Sequence, residues 1–341
     1  MDSTKIHFLN VGHGDCTIIE HPSGRLTMID VNNSKTLPED DEIALAEAKG
    51  LSLSQFRTGS AISKSWEEYY ESLLVDPREY WRANFGGRTL FRYIQTHPDM
   101  DHMSGLASLF WGEKVPLWNF WDYDHGKTCT EAGFDTYRYD WNDWLAYLQL
   151  RTGNHGDGSN HSVIKRLRDE TGDYWTEDGL TILGPTQDLI DYCDRIDKYN
   201  NSSYVLRLEY AGRRVILPGD AEKPAWDSIE ADFDESDVSC DILKAAHHGR
   251  ESGYSETAVS AMNPDFVICS VGKKPSTDAS DEYRSHGATV LSTRYNGTIT
   301  VQIWADGEIW IDDYKAERLH SLPPLGPAAR MSTLAAGRGR R

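Results

Sequence analysis

Four potential metal ligands lie within six residues of one another in one short segment of the chain. From Thr96 to Gly105 the sequence reads Thr-His-Pro-Asp-Met-Asp-His-Met-Ser-Gly. A strand-like run at 90–95 precedes this segment, and an apolar run that can form a helix follows it at 106–110. The pattern predicts a strand, a loop that carries the ligands, and then a helix.

The four candidate ligands are His97, Asp99, Asp101 and His102. The first three alternate along the chain, so an extended loop directs their side chains to one side, and His102 converges from the turn into the helix. Carboxylates this close together raise each other's pKa values unless a cation lies between them. A divalent ion accepts nitrogen and oxygen ligands together, so the segment predicts a metal site. The alternative is a solvated polar loop that caps a helix.

The composition is that of an ordinary soluble globular protein. The chain has 341 residues, which is enough for one large domain or two. No apolar run approaches membrane-spanning length, so we expect a cytoplasmic protein with no membrane partner. The five cysteines are scattered without a CxxC spacing, which argues against a disulfide framework and against a thiolate zinc site. The net charge of −19 argues against binding long nucleic acid through a general basic surface.

Strand and helix patterns alternate along the chain outside two atypical segments. Residues 32–88 are acidic and poor in strand patterns, and residues 111–179 are rich in tryptophan and tyrosine. We interpret both segments as insertions in one domain that spans residues 1–321, with a disordered tail at 322–341. The alternation of strands and helices indicates an α/β layered sandwich.

Two later strand patterns also end at metal-ligand residues. The strand predicted at 213–217 is followed by Asp220, and the strand predicted at 242–245 is followed by His247 and His248. The carboxyl ends of strands are where α/β folds collect their active sites. Each signal is weak by itself, but three such strand ends in one chain indicate one shared site.

These motifs together resemble those of a known family. They are His97-x-Asp99-x-Asp101-His102, Gly219-Asp220 and His247-His248-Gly249. The set is similar to that of the metallo-β-lactamase superfamily, specifically the branch related to the C-terminal domain of ComEC/Rec2 competence proteins. The resemblance covers most of residues 5–31, 90–110 and 180–311. It implies an αββα sandwich with a metal site, usually zinc, at one edge between two sheets.

The resemblance implies two divalent ions, with zinc as the first candidate and manganese or magnesium as the others. The ligands it implies are His97 and Asp99 for the first ion, Asp101, His102 and His247 for the second, and Asp220 as the bridge. Asp99 stands where many members have histidine, and Asn201 stands where a further histidine is usual. We therefore expect the first ion to bind more weakly than the second.

The chemistry that the resemblance implies is hydrolysis by a metal-bound hydroxide. Asp101 is the candidate for orienting the water. Lys244 and His248 are candidates for donating to a phosphate or protonating a leaving group. The alternatives are that Lys244 is an exposed strand residue and that His248 only supports a ligand by hydrogen bonding.

The leading function is a metal-dependent phosphodiesterase or nuclease, because ComEC-like domains are associated with DNA degradation. The acidity of the chain favours a short, single-stranded or small phosphodiester substrate. A second hypothesis is hydrolysis of an uncharged ester, lactone, thioester or amide. A third is a metal-poor binding subunit of a multi-protein complex, which contacts its protein partner through the two insertions. The resemblance suggests bacterial defence as the role of such a complex.

Overall fold

The computed structural model of the chain describes residues 2–33, 36–37, 39–61, 64–155, 159–170, 172–271 and 277–326. The strands are, in chain order, β1 Ser3–Phe8, β2 Thr17–Glu20, β3 Leu26–Ile29, β4 Ser60–Ala61, β5 Lys64–Ser65, β6 Leu90–Ile94, β7 Leu117–Trp121, β8 Ser162–Ile164, β9 Leu180–Gly184, β10 Val205–Tyr210, β11 Arg213–Leu217, β12 Ile242–Lys244, β13 Phe266–Cys269, β14 Thr289–Ser292, β15 Ile299–Trp304, β16 Ile309–Asp312 and β17 Arg318–Leu322. Leu322, where we expected the tail to begin, is thus the last residue of a strand, and residues 327–341 lie outside the described ranges.

The helices are α1 Glu39–Ala48, α2 Leu53–Thr58, α3 Trp66–Glu71, α4 Pro77–Phe85, α5 Trp141–Leu150, α6 Asp173–Glu177, α7 Gln187–Ile196, α8 Lys223–Asp232, α9 Glu235–Val238, α10 Glu256–Met262, α11 Ser280–Ser285 and α12 Thr293–Asn296. The helix predicted after the first ligand segment is a π-helical segment, Ala107–Gly112. Among the described helices, none combines the length and the apolar character that crossing a bilayer requires.

Two large mixed sheets contain nearly all of these strands. The first has nine strands in the order β17-β16-β15-β1-β2-β3-β6-β7-β8, and the second has six in the order β14-β13-β12-β11-β10-β9. Antiparallel hairpins such as β1–β2 combine with parallel pairs such as β3–β6 and β11–β12. The chain is therefore an α/β protein built on two mixed sheets.

Side chains alternate between the two faces of each sheet and so build separate cores. In β11, Val215 and Leu217 face the first sheet and join Ile6 of β1 in the core between the sheets. Ile216 points the other way and packs with Trp226 of α8. This alternation follows from the two-residue period of a strand. Helices cover the outer face of each sheet, and the predicted αββα sandwich is confirmed.

The two segments that we interpreted as insertions differ in how they join the sandwich. Residues 32–88 contribute α1 to α4, of which α1 to α3 have a core of their own that includes Phe56 and Tyr70. Residues 111–179 contribute β7 and β8, which extend the nine-stranded sheet in parallel from β6. The second segment is thus partly a piece of the sandwich itself.

Parallel pairing brings several strand ends to one edge of the sandwich. Ile29 of β3 pairs with Ile94 of β6, so Asp30 and the segment that begins at Thr96 follow side by side. In the second sheet β11 and β12 run parallel and end near each other. The ligand-bearing loops therefore meet where the edges of the two sheets face each other.

Candidate metal centre

Four side chains from four separate loops form a buried cluster at this edge. They are Asp15, His102, Asp220 and His248, and each offers one ligand atom within 4.8 Å of the others. Each residue exposes at most 2% of its surface. Nitrogen and carboxylate oxygen donors in this number are typical of a divalent metal site. The cluster is therefore a candidate metal site.

Asp15 reaches the cluster because of a glycine turn between β1 and β2. Gly14 has a φ of +147°, and a Cβ at this position would lie 2.4 Å from the carbonyl oxygen of Asp101. The Asp15 amide donates to that same carbonyl over 3.3 Å. Only glycine permits this close approach of two backbones, so the turn holds Asp15 against the ligand segment.

His102 is oriented by a carboxylate behind it. Its Nδ1 lies 2.7 Å from Oδ2 of Asp30, which also accepts from the Thr96 hydroxyl over 2.6 Å. When the His102 ring is neutral, a hydrogen bond from Nδ1–H leaves Nε2 as the lone-pair nitrogen, 3.2 Å from Oδ2 of Asp220. Metal-binding histidines commonly have such a carboxylate partner, which fixes their tautomer and ring orientation.

The backbone after β12 turns sharply to present two histidines. His247, His248 and Gly249 have φ values of +47°, +59° and +84°. Non-glycine residues in this left-handed region cost roughly 1 to 2 kcal/mol each. A Cβ on Gly249 would lie 2.7 Å from Sγ of Cys269, so the turn cannot accept a larger residue there without movement. The strained turn places the His248 ring inside the cluster.

Several polar atoms of the cluster have no hydrogen-bond partner within the described residues. They include Nε2 of His102, Oδ1 of Asp220 and both ring nitrogens of His248. A buried polar group without a partner costs about 1 to 3 kcal/mol. Convergent donors of this kind fit a divalent ion, which would satisfy them together.

The electrostatics of the cluster keep its carboxylates ionised. Burial opposes the charge of Asp220, but His102 and His248 beside it hold the pKa of that carboxyl well below its usual range. Burial lowers the pKa of His248, but Asp220 and Asp15 outweigh this effect and raise it to about 9. The field at the cluster is therefore one that favours a cation.

Asp101 lies at the mouth of the buried cluster. Its Oδ2 is 3.5 Å from Nε2 of His248 and 3.7 Å from Nε2 of His13, and its side chain is 20% exposed. These three residues form a second group of potential ligands that shares His248 with the first. Asp101 thus connects the buried donors with solvent.

The structure places His97 and Asp99 apart from both groups. Nδ1 of His97 lies 3.1 Å from the Thr96 hydroxyl, and its Nε2 lies 3.5 Å from Oδ2 of Asp99. The other oxygen of Asp99 forms an ion pair with the ammonium group of Lys127. The two predicted ligands of the first ion are neighbours of the cluster, and one of them already has a cationic partner.

The remaining predicted residues also surround the cluster. His247 lies at its rim, where Nδ1 is 2.7 Å from the Ser252 hydroxyl and Nε2 is 3.8 Å from Oδ2 of Asp220. Lys244 is buried, and its Nζ lies 2.5 Å from Oδ2 of Asp15. Lys244 therefore faces the inside of the sandwich and is committed to a carboxylate.

Two residues of this region have no ligand or catalytic role in the sequence interpretation. Asp15 lies in a turn that needs glycines, and this need explains the segment without a functional role for Asp15. It also follows a strand end, as Asp220 does, and this shared feature is the signal that could have found it. Lys127 lies in the aromatic-rich segment 28 residues after Asp99, and no local pattern marks it.

Comparison with curated proteins shows distant homology to competence proteins, while no protein-family model matches the chain. "ComE operon protein 3" of Bacillus subtilis (strain 168) is 34% identical over 105 residues, which are 29% of this chain and 13% of that protein. "Competence protein ComA" of Neisseria gonorrhoeae is 25% identical over 125 residues, 35% of this chain and 17% of that protein. The matches thus span only a small share of these relatives.

Two solved structures are similar to the chain over most of its length. The metallo-β-lactamase fold protein YhfI from Bacillus subtilis is 9% identical, covers 88% of this chain and 100% of its own, and gives a TM-score of 0.44. Igni18, a metallo hydrolase from Ignicoccus hospitalis, is 13% identical, covers 87% of this chain and 98% of its own, and gives 0.45. The helix–sheet–sheet–helix order described above is the layer order of the metallo-β-lactamase fold.

Proposed function

We propose that this chain is a metal-dependent hydrolase that acts on a short or single-stranded phosphodiester substrate. The observation that carries the proposal is the buried group of Asp15, His102, Asp220 and His248, whose donor atoms converge without hydrogen-bond partners among the described residues. Such a group destabilises the fold unless it binds something. A divalent cation fits the donor set, with zinc as the first candidate.

The residues that would hold this ion are His102, Asp220 and His248, with the carboxylates of Asp15 and Asp101 beside them. A bound divalent ion supplies Lewis acidity and lowers the pKa of a coordinated water. The chain supplies the fixed geometry, because Asp30 orients His102 and the left-handed turn orients His248.

Asp101 is suited to orient the attacking water and to accept its proton. Its carboxylate is partly exposed, whereas Asp15 and Asp220 are buried. A general base must reach both the buried site and the water that enters from solvent, within hydrogen-bond distance. Asp101 meets this requirement because it lies between His248 and the surface.

Lys244 has a positioning role in this proposal. Burial lowers its pKa, but Asp15 and Asp220 outweigh this effect and raise it, so the ammonium group stays charged. Its pairing with Asp15 balances one negative charge inside the sandwich and fixes that carboxylate.

A cation at the mouth of the site, the guanidinium group of Arg250, supports a phosphodiester over a neutral ester. Nη2 of Arg250 lies 3.0 Å from Nε2 of His13, which in turn lies 3.7 Å from Asp101. A guanidinium group matches the geometry of phosphate oxygens. The net charge of −19 makes most of the surface repel an anionic group, and Arg250 provides a local positive charge to which such a group can bind.

The test compares hydrolysis of single-stranded DNA, RNA, cyclic nucleotides and a carboxylic ester by the wild type and by Asp101→Ala. We expect metal-dependent turnover of a phosphodiester that falls by at least about 100-fold in the variant, the low end for loss of a general base. Asp281→Ala is the matched control, because its side chain is 77% exposed and lies on α11.

Activity that is unchanged in Asp101→Ala would contradict the proposed mechanism. Preference for the carboxylic ester would contradict the substrate class but leave the metal-dependent hydrolase in place. Arg250→Gln separates the two further, since we expect it to raise KM for phosphodiesters and to leave KM for an uncharged ester unchanged.

A further inference from the structure

The two halves of the two-ion centre implied by the family resemblance do not fit a metal ion equally well. The half around His102, Asp220 and His248 has free donor atoms among the described residues. In the half around His97, Asp99 and Asn201, Nε2 of His97 is also buried without a hydrogen-bond partner in the described ranges, but Oδ1 of Asp99 and Oδ1 of Asn201 are engaged by the protein. This inference rests on the proposed function and concerns the number of ions at the same site.

The side chain of Asn201 is hydrogen-bonded to the backbone at the start of α8, a helix that packs on the second sheet. Its Oδ1 accepts hydrogen bonds from the amides of Glu222 and Ala225, each over 3.2 Å, at the start of α8. An amide oxygen has two lone pairs, and both are used here. The side-chain nitrogen is not a metal ligand. Asn201 therefore caps a helix and offers no atom to an ion.

Asp99 is occupied by a cation that the chain itself provides. Lys127 places its ammonium group on Oδ1 of Asp99, while Oδ2 of Asp99 faces Nε2 of His97 at 3.5 Å. The side chains of Lys127 and Asp99 are only 20% and 31% exposed. The ammonium group of Lys127 is thus already bound to Asp99. A metal ion held by His97 and Asp99 would have to compete with it for that carboxylate.

The position of Lys127 is fixed by its surroundings. Its own amide donates to Nδ1 of His125 over 3.2 Å, and the amide of Gly126 donates to Oδ1 of Asp194 over 2.7 Å. Its ammonium group lies 5.3 Å from the centre of the Tyr199 ring, within the range of a cation–π contact. These contacts hold the lysine in place from both the backbone and the side chain.

We propose that Lys127 replaces the first metal ion, so that the centre binds one divalent ion, on the side of His102, Asp220 and His248. The aromatic-rich segment 111–179 thereby supplies a permanent cation to the site. A lysine ammonium group is a compact point charge and can balance one carboxylate, but it provides no open coordination position.

The test measures bound metal per chain after saturation with zinc or manganese and removal of free ions. We expect one ion in the wild type and a second, weaker ion in Lys127→Met, which removes the charge and keeps most of the length. Lys127→Arg keeps the charge and should stay at one ion. Lys165→Met is the matched control, because Lys165 lies in the same segment and pairs with Asp124 away from the cluster.

Two ions in the wild type would overturn the inference, and so would a single ion in Lys127→Met that folds normally by circular dichroism. A wild type that binds no ion would overturn both this inference and the proposed function. A wild type that binds one ion but hydrolyses no tested substrate would contradict only the proposed function, because the ion count does not depend on turnover.

Discussion

The candidate centre has an inner side, formed by His102, Asp220 and His248, and an outer side, formed by His97, Asp99 and Asn201. Both sides contain histidine and aspartate, but they differ in how many of their donor atoms already have a partner in the protein. On the inner side, Nε2 of His102 and Oδ1 of Asp220 are buried with no hydrogen-bond partner among the described residues. On the outer side, Nε2 of His97 is also buried without such a partner, but Asp99 pairs with Lys127, and Asn201 caps α8. The difference teaches that a ligand motif predicts a metal site only where the fold leaves its donors unsatisfied.

The largest effect on metal affinity should come from a change of Asp220, the inner-side carboxylate that lies close to both His102 and His248. Asp220→Asn removes a charge that lies 3.2 Å from His102 and 3.5 Å from His248. Residues behind a metal ligand typically contribute 10- to 100-fold, so loss of a ligand itself should weaken metal affinity by more than about 100-fold. Metal titration measures this, with Asp227→Asn on the exposed face of α8 as control. Unchanged affinity would remove the distinction between the two sides.

A smaller effect should follow from Asp30→Asn, which alters the support of the inner side and leaves the donors of the cluster in place. The amide no longer matches both the Nδ1–H of His102 and the hydroxyl of Thr96. We expect metal affinity and turnover to fall by about 10- to 100-fold. The same titration and assay test this, and equal losses on an outer-side variant would contradict it.

Gly14→Ala tests whether the inner side depends on the close approach of two backbones. The new Cβ would meet the carbonyl of Asp101 at 2.4 Å, in addition to the strain of a left-handed φ. We expect a loss of about 2 kcal/mol in the free energy of unfolding, measured by denaturant titration. Gly24→Ala is the matched control, because Gly24 also has a positive φ of +84° but nothing lies within 4 Å of its Cβ. It should lose only the strain, about 1 kcal/mol.

The smallest effect on the tightly bound ion should come from the outer side. Asp99→Asn removes the partner of Lys127 but no donor of the inner group. A partly exposed ion pair contributes up to about 1 kcal/mol, so the affinity for the first equivalent of metal should change less than about fivefold. Isothermal titration calorimetry measures this. A loss as large as that of Asp220→Asn would show that the two sides act as one site.

Much of the fold could be predicted from strand patterns alone. The strand at 213–217 is bounded as predicted, and the strands that precede the other ligand loops lie within a residue of the prediction. These strands are almost entirely buried, and most of their residues are apolar, which makes them recognisable in the sequence. The strands β7 and β8 were not predicted, because the polar and aromatic residues around them obscure the pattern.

The candidate site was predictable as a meeting of strand ends but not in its hydrogen bonding. The sequence places His102, Asp220 and His248 after strands, and the structure brings them together. Whether Asp99 faces an ion or Lys127 depends on a contact between segments that share no local pattern. The preference for His248 over His247 inside the cluster depends on a left-handed turn, and paired histidines in a sequence do not reveal which ring points inward.

The pairing of β1 with β15 has a consequence for the order in which the chain folds. Ile6 lies opposite Val301, so β1, an interior strand of the first sheet, has one neighbour nearby in sequence and one almost 300 residues away. Contacts at such separation form late, whereas hairpins such as β10–β11 need only local contacts. We expect amide protection in refolding experiments to appear first in such hairpins and last at the hydrogen bonds that join β1 to β15. The hairpin that carries Asp15 would then join β15 late, and newly synthesised chains should become able to hold a metal ion only near the end of folding.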